Sequence, residues 1–116
     1  MSKNELRLAV VGSRSFDNYS FMELVLSKFP HFILVSGGAE GADKLAERYA
    51  KENDLEVIIH KPEWKLYKRK AGMVRNTFIV RDCNAVVAFW DEKSKETKMI
   101  IDLAKKQKKL VYIQQF

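Results

Sequence analysis

Phe32-Ile33-Leu34-Val35-Ser36-Gly37-Gly38-Ala39-Glu40-Gly41-Ala42-Asp43 decides the fold class of this chain. A short apolar run breaks at Ser36-Gly37-Gly38, and a different periodicity starts three residues later. From Gly41 to Asn53 the apolar positions are Ala42, Leu45, Ala46, Tyr49 and Ala50. That is the i, i+3, i+4, i+7, i+8 stripe of a helix facing a core. A buried strand thus passes through a glycine turn directly into an amphipathic helix.

The same alternation extends in both directions. Strand-like runs occur at Leu6 to Val11, Glu56 to Ile59, Ala85 to Trp90 and Leu110 to Ile113. Nearly continuous apolar runs of this length suit strands buried on both faces, as parallel strands are. Met22, Val25, Leu26 and Phe29 stripe a first helix, which Pro30 ends. Met99, Ile100, Leu103 and Ala104 stripe the last. Lys70 to Arg81 gives a narrower stripe through Val74 and Phe78. Five strands alternating with four helices predict an α/β domain over residues 1–116. The expected sheet is open, parallel and five-stranded, in the order 3-2-1-4-5, with helices on both faces. Strands 1 and 4 then flank a switch point, where a crevice opens at their C-terminal ends.

Composition narrows the function classes. The chain has 116 residues, 47% hydrophobic and 31% charged, enough for one real core. Its longest apolar run, Ala85 to Trp90, is far short of the roughly 20 residues of a membrane span. Met1-Ser2-Lys3-Asn4-Glu5 introduces no long apolar region of the signal-peptide kind, so a cytoplasmic location is expected. Cys83 is the single cysteine, precedes a predicted strand, and reads as a small buried hydrophobe. His31 and His60 stand apart, and no Cys/His spacing suggests a metal site. A net charge of +6 favours anionic partners without choosing among them. The lysines of Lys105-Lys106-Gln107-Lys108-Lys109 read as a solvated helix end complementing the dipole.

The residues with chemistry cluster just after strands. Gly12-Ser13-Arg14 follows strand 1, Ser36 to Asp43 follows strand 2, and Asp91 to Thr97 follows strand 4. All three loops are expected at one end of the sheet. Gly37, Gly38 and Gly41, with Ser36 and Ala39, let main-chain amides approach a ligand at a helix start, a natural phosphate seat. A plain turn needing positive φ explains the same glycines, and the pattern is neither G-x-G-x-x-G nor a Walker A loop. Asp43 either complements the helix dipole or accepts from ribose hydroxyls. Arg14 can fork onto a phosphate, with Ser13 beside it. Asp91 opens the strand 4 loop, and Ser94 and Thr97 either cap the last helix or add a phosphate or sugar contact. Arg75 and Asn76 explain the narrow stripe of their helix if that face looks into the crevice. Lys61 to Lys70 interleaves Trp64 and Tyr67 with basic residues. It reads as a base-stacking lid involving Trp64 and Lys70, as an exposed basic loop with Trp64 tucked into the core edge, or as a single-strand nucleic-acid platform.

V-G-S-R-S-F-D from Val11, V-S-G-G-A-E-G-A-D from Val35, W-x-x-Y from Trp64, K-A-G-x-x-R-N from Lys70, and V-V-A-F-W-D followed by S-x-x-T from Ser94 carry a family resemblance. In these motifs the chain resembles the YspA/YpsA-like branch of the SLOG superfamily. Relatives there include DprA proteins and the Lonely Guy phosphoribohydrolases. The resemblance implies a Rossmann-like fold and a nucleotide or nucleotide-derived ligand. It implies contacts from Gly12, Ser13, Arg14, Gly37, Gly38, Gly41, Asp43, Arg75, Asn76, Ser94 and Thr97. Two departures stand out: Ile100 holds the position of the enzymes' catalytic glutamate, and Glu96 replaces the glycine before the threonine. Asn76 also replaces the lysine of their Arg-Lys pair.

The expected function is therefore a binding module, a sensor, carrier or sequestering protein for a nucleotide or ADP-ribose-type ligand. No cofactor is required for it. N-glycosidic hydrolysis of nucleoside monophosphates is the alternative, and would need Asp43, Asp91 or Glu96 as its carboxylate. Single-strand nucleic-acid binding is third. A homo-oligomer is expected from the shallow pocket of so small a domain, and no membrane partner is expected.

Overall fold

The computed structural model describes residues 5–116. Met1 to Asn4, which entered the reading of location, lie outside those residues. The chain runs through β1 (Leu6–Gly12), α1 (Tyr19–Leu26), β2 (Phe32–Ser36), α2 (Ala42–Glu52) and β3 (Val57–Ile59). It continues through α3 (Trp64–Tyr67), a 3-10 turn (Lys68–Lys70), α4 (Ala71–Arg81), β4 (Ala85–Trp90), α5 (Lys95–Lys106) and β5 (Leu110–Gln115). The five strands form one sheet in the order β3-β2-β1-β4-β5, every neighbouring pair parallel. The expected order and direction are both observed.

The pleat divides the core in two. Leu8 and Val10 of β1, Leu34 of β2, and Val87 and Phe89 of β4 face α1 and α2. They meet Met22, Leu26, Ala42, Ala46 and Ala50 there. Ala9, Val11, Val35, Val86 and Ala88 point the other way, onto Ile79, Val80, Ile100, Ile101 and Ala104 of α4 and α5. Each fully buried Val, Leu or Phe among them contributes roughly 1.5–3 kcal/mol by leaving water.

The structure departs from the sequence reading at three places. The first helix ends at Leu26, with Phe29 outside it, because the amides of Lys28 and Phe29 tighten onto the i−3 carbonyls of Val25 and Leu26. Pro30 lies four residues past Leu26 and offers the Leu26 carbonyl no amide, so the helix stops short of the proline. The outer strands are not buried on both faces: β3 is three residues long, and in β5 Leu110 is 63% and Tyr112 41% exposed. Their apolar character reflects one covered face and one open edge. The basic stretch after β3 is not a loop but a one-turn helix and a 3-10 turn leading into α4. Among the described residues no helix is long and apolar enough to cross a membrane. Cys83 is buried, and that burial pushes its thiol up to about 11.

Gly41 fixes how α2 meets the sheet. Its φ is +78°, and a Cβ there would lie 2.5 Å from the carbonyl oxygens of both Ser13 and Arg14. Both partners are main chain and cannot swing aside. Gly41→Ala is expected to destabilise the fold by at least about 2 kcal/mol, from strain plus a forced backbone shift. Chemical denaturation measures this; a loss under about 0.5 kcal/mol, the range of an ordinary surface change, shows that the contact is soft.

Candidate functional site

A cavity of about 430 Å³ opens at the C-terminal ends of β1 and β4. Its size falls in the range of small-molecule pockets. Four chain segments wall it. Val11 to Ser15 come from the end of β1, and Ala39 and Asp43 from the entry to α2. Arg75, Asn76 and Ile79 come from α4, and Asp91, Ser94 to Thr97 and Ile100 from the entry to α5. Ten residues expected from sequence meet here: Gly12, Ser13, Arg14, Ala39, Asp43, Arg75, Asn76, Asp91, Ser94 and Thr97.

Six others do not line the cavity: Ser36, Gly37, Gly38, Gly41, Trp64 and Lys70. The loop glycines act one layer back. Gly37 is where the loop admits an arginine, since a Cβ there would sit 2.8 Å from Arg75 Nη1. Arg75 instead donates from Nη1 to the Gly37 carbonyl at 2.8 Å. Ser36 Oγ accepts from the Gly38 amide at 3.2 Å, and Asp43 Oδ2 accepts from the Ala39 amide at 3.1 Å. These loop amides are thus occupied by the protein's own oxygens. Trp64 is 59% exposed on α3 and Lys70 caps α4, so Trp64 is neither a lid over the cavity nor tucked into the core edge. Both follow the edge strand β3, on the far side of β2 from the crevice.

The entry to α5 is organised by short-range bonds. Asp91 Oδ1 accepts from the amides of Lys93 at 2.8 Å and Ser94 at 2.9 Å. Those bonds hold its carboxyl below the usual range. Ser94 Oγ accepts from the Thr97 amide, and the two hydroxyls lie 3.0 Å apart. The capping role expected for Ser94 is thus present. The Asp91 amide donates to Ser13 Oγ at 3.2 Å, tying the loops after β1 and β4 together.

Arg75 and Asn76 form the deep wall. Both are buried on α4, which accounts for the narrow apolar stripe of that helix. The Arg75 guanidinium also donates from Nε to Asn76 Oδ1 at 2.7 Å and from Nη2 to Glu96 Oε1 at 3.3 Å. Arginine only donates, so the Asn76 atom facing it must be the oxygen. The Asn76 amide nitrogen, in a residue 1% exposed, has no partner among the described residues. Burial pushes the Asp43 carboxyl up to about 6, against the lowering effect of the Ala39 amide and the Arg75 charge. Ser15, Lys95 and the apolar walls Val11, Ile79 and Ile100 also line the cavity and were not expected as contacts from sequence. Glu96 stood out as a departure from the family pattern and as a candidate carboxylate for hydrolysis, not as a ligand contact. Among the described residues no His, Cys, Asp and Glu side chains gather as a metal set.

An open parallel sheet with a polar crevice at its switch point defines a Rossmann-like fold. A model of the YspA, cpYpsA-related SLOG family matches residues 6–67. The gene 61 protein of Mycobacterium phage D29 is 31% identical over 85 residues, spanning 65% of this chain and 68% of that protein. The DNA processing protein A (DprA) of Streptococcus pneumoniae shares the fold, with a TM-score of 0.79 and 19% identity. The match takes in 95% of this chain and 50% of DprA, so the chain spans half the length of that structure. The chain belongs to the YspA, cpYpsA-related SLOG family. The family match covers β1 to α3, and the α4 and α5 walls lie beyond it.

Asp43 supplies a pH test. Its folded value, about 6, lies above the ordinary 3.8. The neutral form is therefore the one folding favours: its stabilisation is complete below about pH 4 and is lost as pH rises through about 6. Asp43→Asn keeps an acceptor for the Ala39 amide and cannot ionise. Relative to this variant, the wild type is expected to lose on the order of 2 kcal/mol between pH 4 and 7. Parallel stability curves across that window rule out the shifted carboxyl.

Proposed function

We propose that this protein binds a nucleotide or ADP-ribose-type ligand in the crevice between β1 and β4, as a sensor, carrier or sequestering module. The observation that carries the reading is Asn76, a residue of the cavity wall whose buried amide nitrogen has no partner among the described residues. Buried polar groups are almost always paired, and leaving one unmade costs about 1–3 kcal/mol. A ligand carbonyl, ring nitrogen or hydroxyl completes it.

Charge sets the orientation of the ligand. Arg14 and Lys95 line the cavity, are exposed, and form no ion pair among the described residues. The first-turn amides of α5 at Lys95 and Glu96 have no helical acceptor, and the helix dipole adds to them. An anionic group therefore sits at this mouth. Deeper in, Arg75 is already committed to Gly37, Asn76 and Glu96. The inner part of the ligand is accordingly uncharged, a base or sugar against Asn76 and the apolar faces of Ile79 and Ile100. Family membership supports a nucleotide-derived compound over other anions.

A thermal-shift panel of nucleotides, ADP-ribose-type compounds and cyclic nucleotides tests this. Saturating ligand at about 100 times its Kd adds about 2.7 kcal/mol of stability. Asn76→Asp keeps the acceptor for Arg75 and deletes the donor; it is expected to weaken binding at least about tenfold without unfolding the protein. Arg14→Ala is expected to do so through the anionic group. If both variants respond to ligand as the wild type does, the crevice is not the site.

A second reading has one observation in its favour. Asp43, pushed up to about 6 inside the cavity, has the protonation behaviour of a general acid or base. Release of free base from a nucleoside monophosphate, abolished in Asp43→Asn, moves the assignment to N-glycosidic hydrolysis.

A further inference from the structure

The segment from Lys61 to Lys70 is strongly basic, and none of its residues lines the crevice. It carries Lys61, Lys65, Lys68, Arg69 and Lys70 against one carboxylate, Glu63, within a chain of net charge +6. All five cations are exposed, and none forms an ion pair among the described residues. Trp64 stands among them with 59% of its surface in water. None of these residues lines the cavity.

A tryptophan exposed to this extent has an uncovered π-face in a field of like charge that repels other cations and draws in anions. We infer that this surface is a platform for single-stranded nucleic acid, with the Trp64 indole stacking on a base and the surrounding cations following the backbone phosphates. The charge complementarity is direct, and stacking on an aromatic face is how unpaired bases are held. A duplex does not suit the site. Its bases are already stacked, and reading a groove takes an inserted helix or ribbon, whereas α3 is four residues long. An anionic membrane suits it less, because interfacial anchoring uses an amphipathic helix with a broad apolar face. The inference stands apart from the crevice reading and shares no residue with it.

Fluorescence anisotropy of the full chain with labelled oligonucleotides tests it. A mixed-sequence single strand of about a dozen nucleotides is expected to bind more tightly than the corresponding duplex. With three to five phosphates engaged, log K should fall with log[salt] at a slope of about −2 to −4. Trp64→Ala, at an exposed position, should leave the melting temperature unchanged and weaken single-strand binding about tenfold. Lys68→Ala with Arg69→Ala should reduce the slope by about 1 or more. Asn76→Asp should leave oligonucleotide binding as it is. Equal affinity for duplex, indifference to Trp64→Ala, or loss in Asn76→Asp alone each overturns the platform. Binding to vesicles containing an anionic lipid, in the absence of oligonucleotide binding, overturns it in favour of a membrane.

Discussion

Two main chains touch where the loop after β1 meets the start of α2, and the rest of the molecule is arranged around that contact. At Gly41 there is no space for even a methyl group against the Ser13 and Arg14 carbonyls. The Ala42 amide also points at the Ser13 carbonyl, 3.4 Å away. Ser13 meanwhile extends the β1–β4 ladder by donating from its amide to the Phe89 carbonyl at 2.9 Å. One residue thus joins strand, neighbouring strand and helix. Its side-chain oxygen then takes the amide of Asp91. The loops around the crevice are fastened to one another by main-chain contacts and by the Ser13 hydroxyl.

Most of the architecture was readable from period alone. The glycine break after Val35 and the stripe from Ala42 to Ala50 announced a strand entering a helix, and repetition of that unit left one economical parallel sheet. The burial of the outer strands was not readable, because an apolar run in β5 looks the same whether one face or both are covered. The extent of α1 was missed for a local reason, the i−3 turns of Lys28 and Phe29 ahead of Pro30. Within the crevice, loop position identified the polar residues that share a rim. It did not show that the glycine turn is a support for Arg75 and Asp43 rather than part of the cavity wall. That distinction depends on which way amides and carbonyls point, and composition does not encode it. Lys95, Ile79 and Ile100 entered the wall through helix phase, which only the packed structure fixes.

The crevice is also electrostatically self-contained. Asp43, Asp91 and Glu96 each occupy donors that an outside anion would otherwise take: the Ala39 amide, the Lys93 and Ser94 amides, and one edge of the Arg75 guanidinium. Arg75 is therefore offset by internal carboxylate and carbonyl oxygens, and the cations without an ion pair among the described residues, Arg14 and Lys95, stand at the rim.

The open edge of β5 has a consequence for how the protein behaves in concentrated solution. From Leu110 to Gln115 the strand holds no charged residue, and its outer main-chain groups have no neighbour within the sheet. Edges of that length and composition are templates for foreign strands unless something repels them. The lysines at 105, 106, 108 and 109, immediately before the strand, are placed to act as electrostatic gatekeepers. Colloidal stability should therefore weaken as salt screens those charges, while the folded core, built on burial, is indifferent to it.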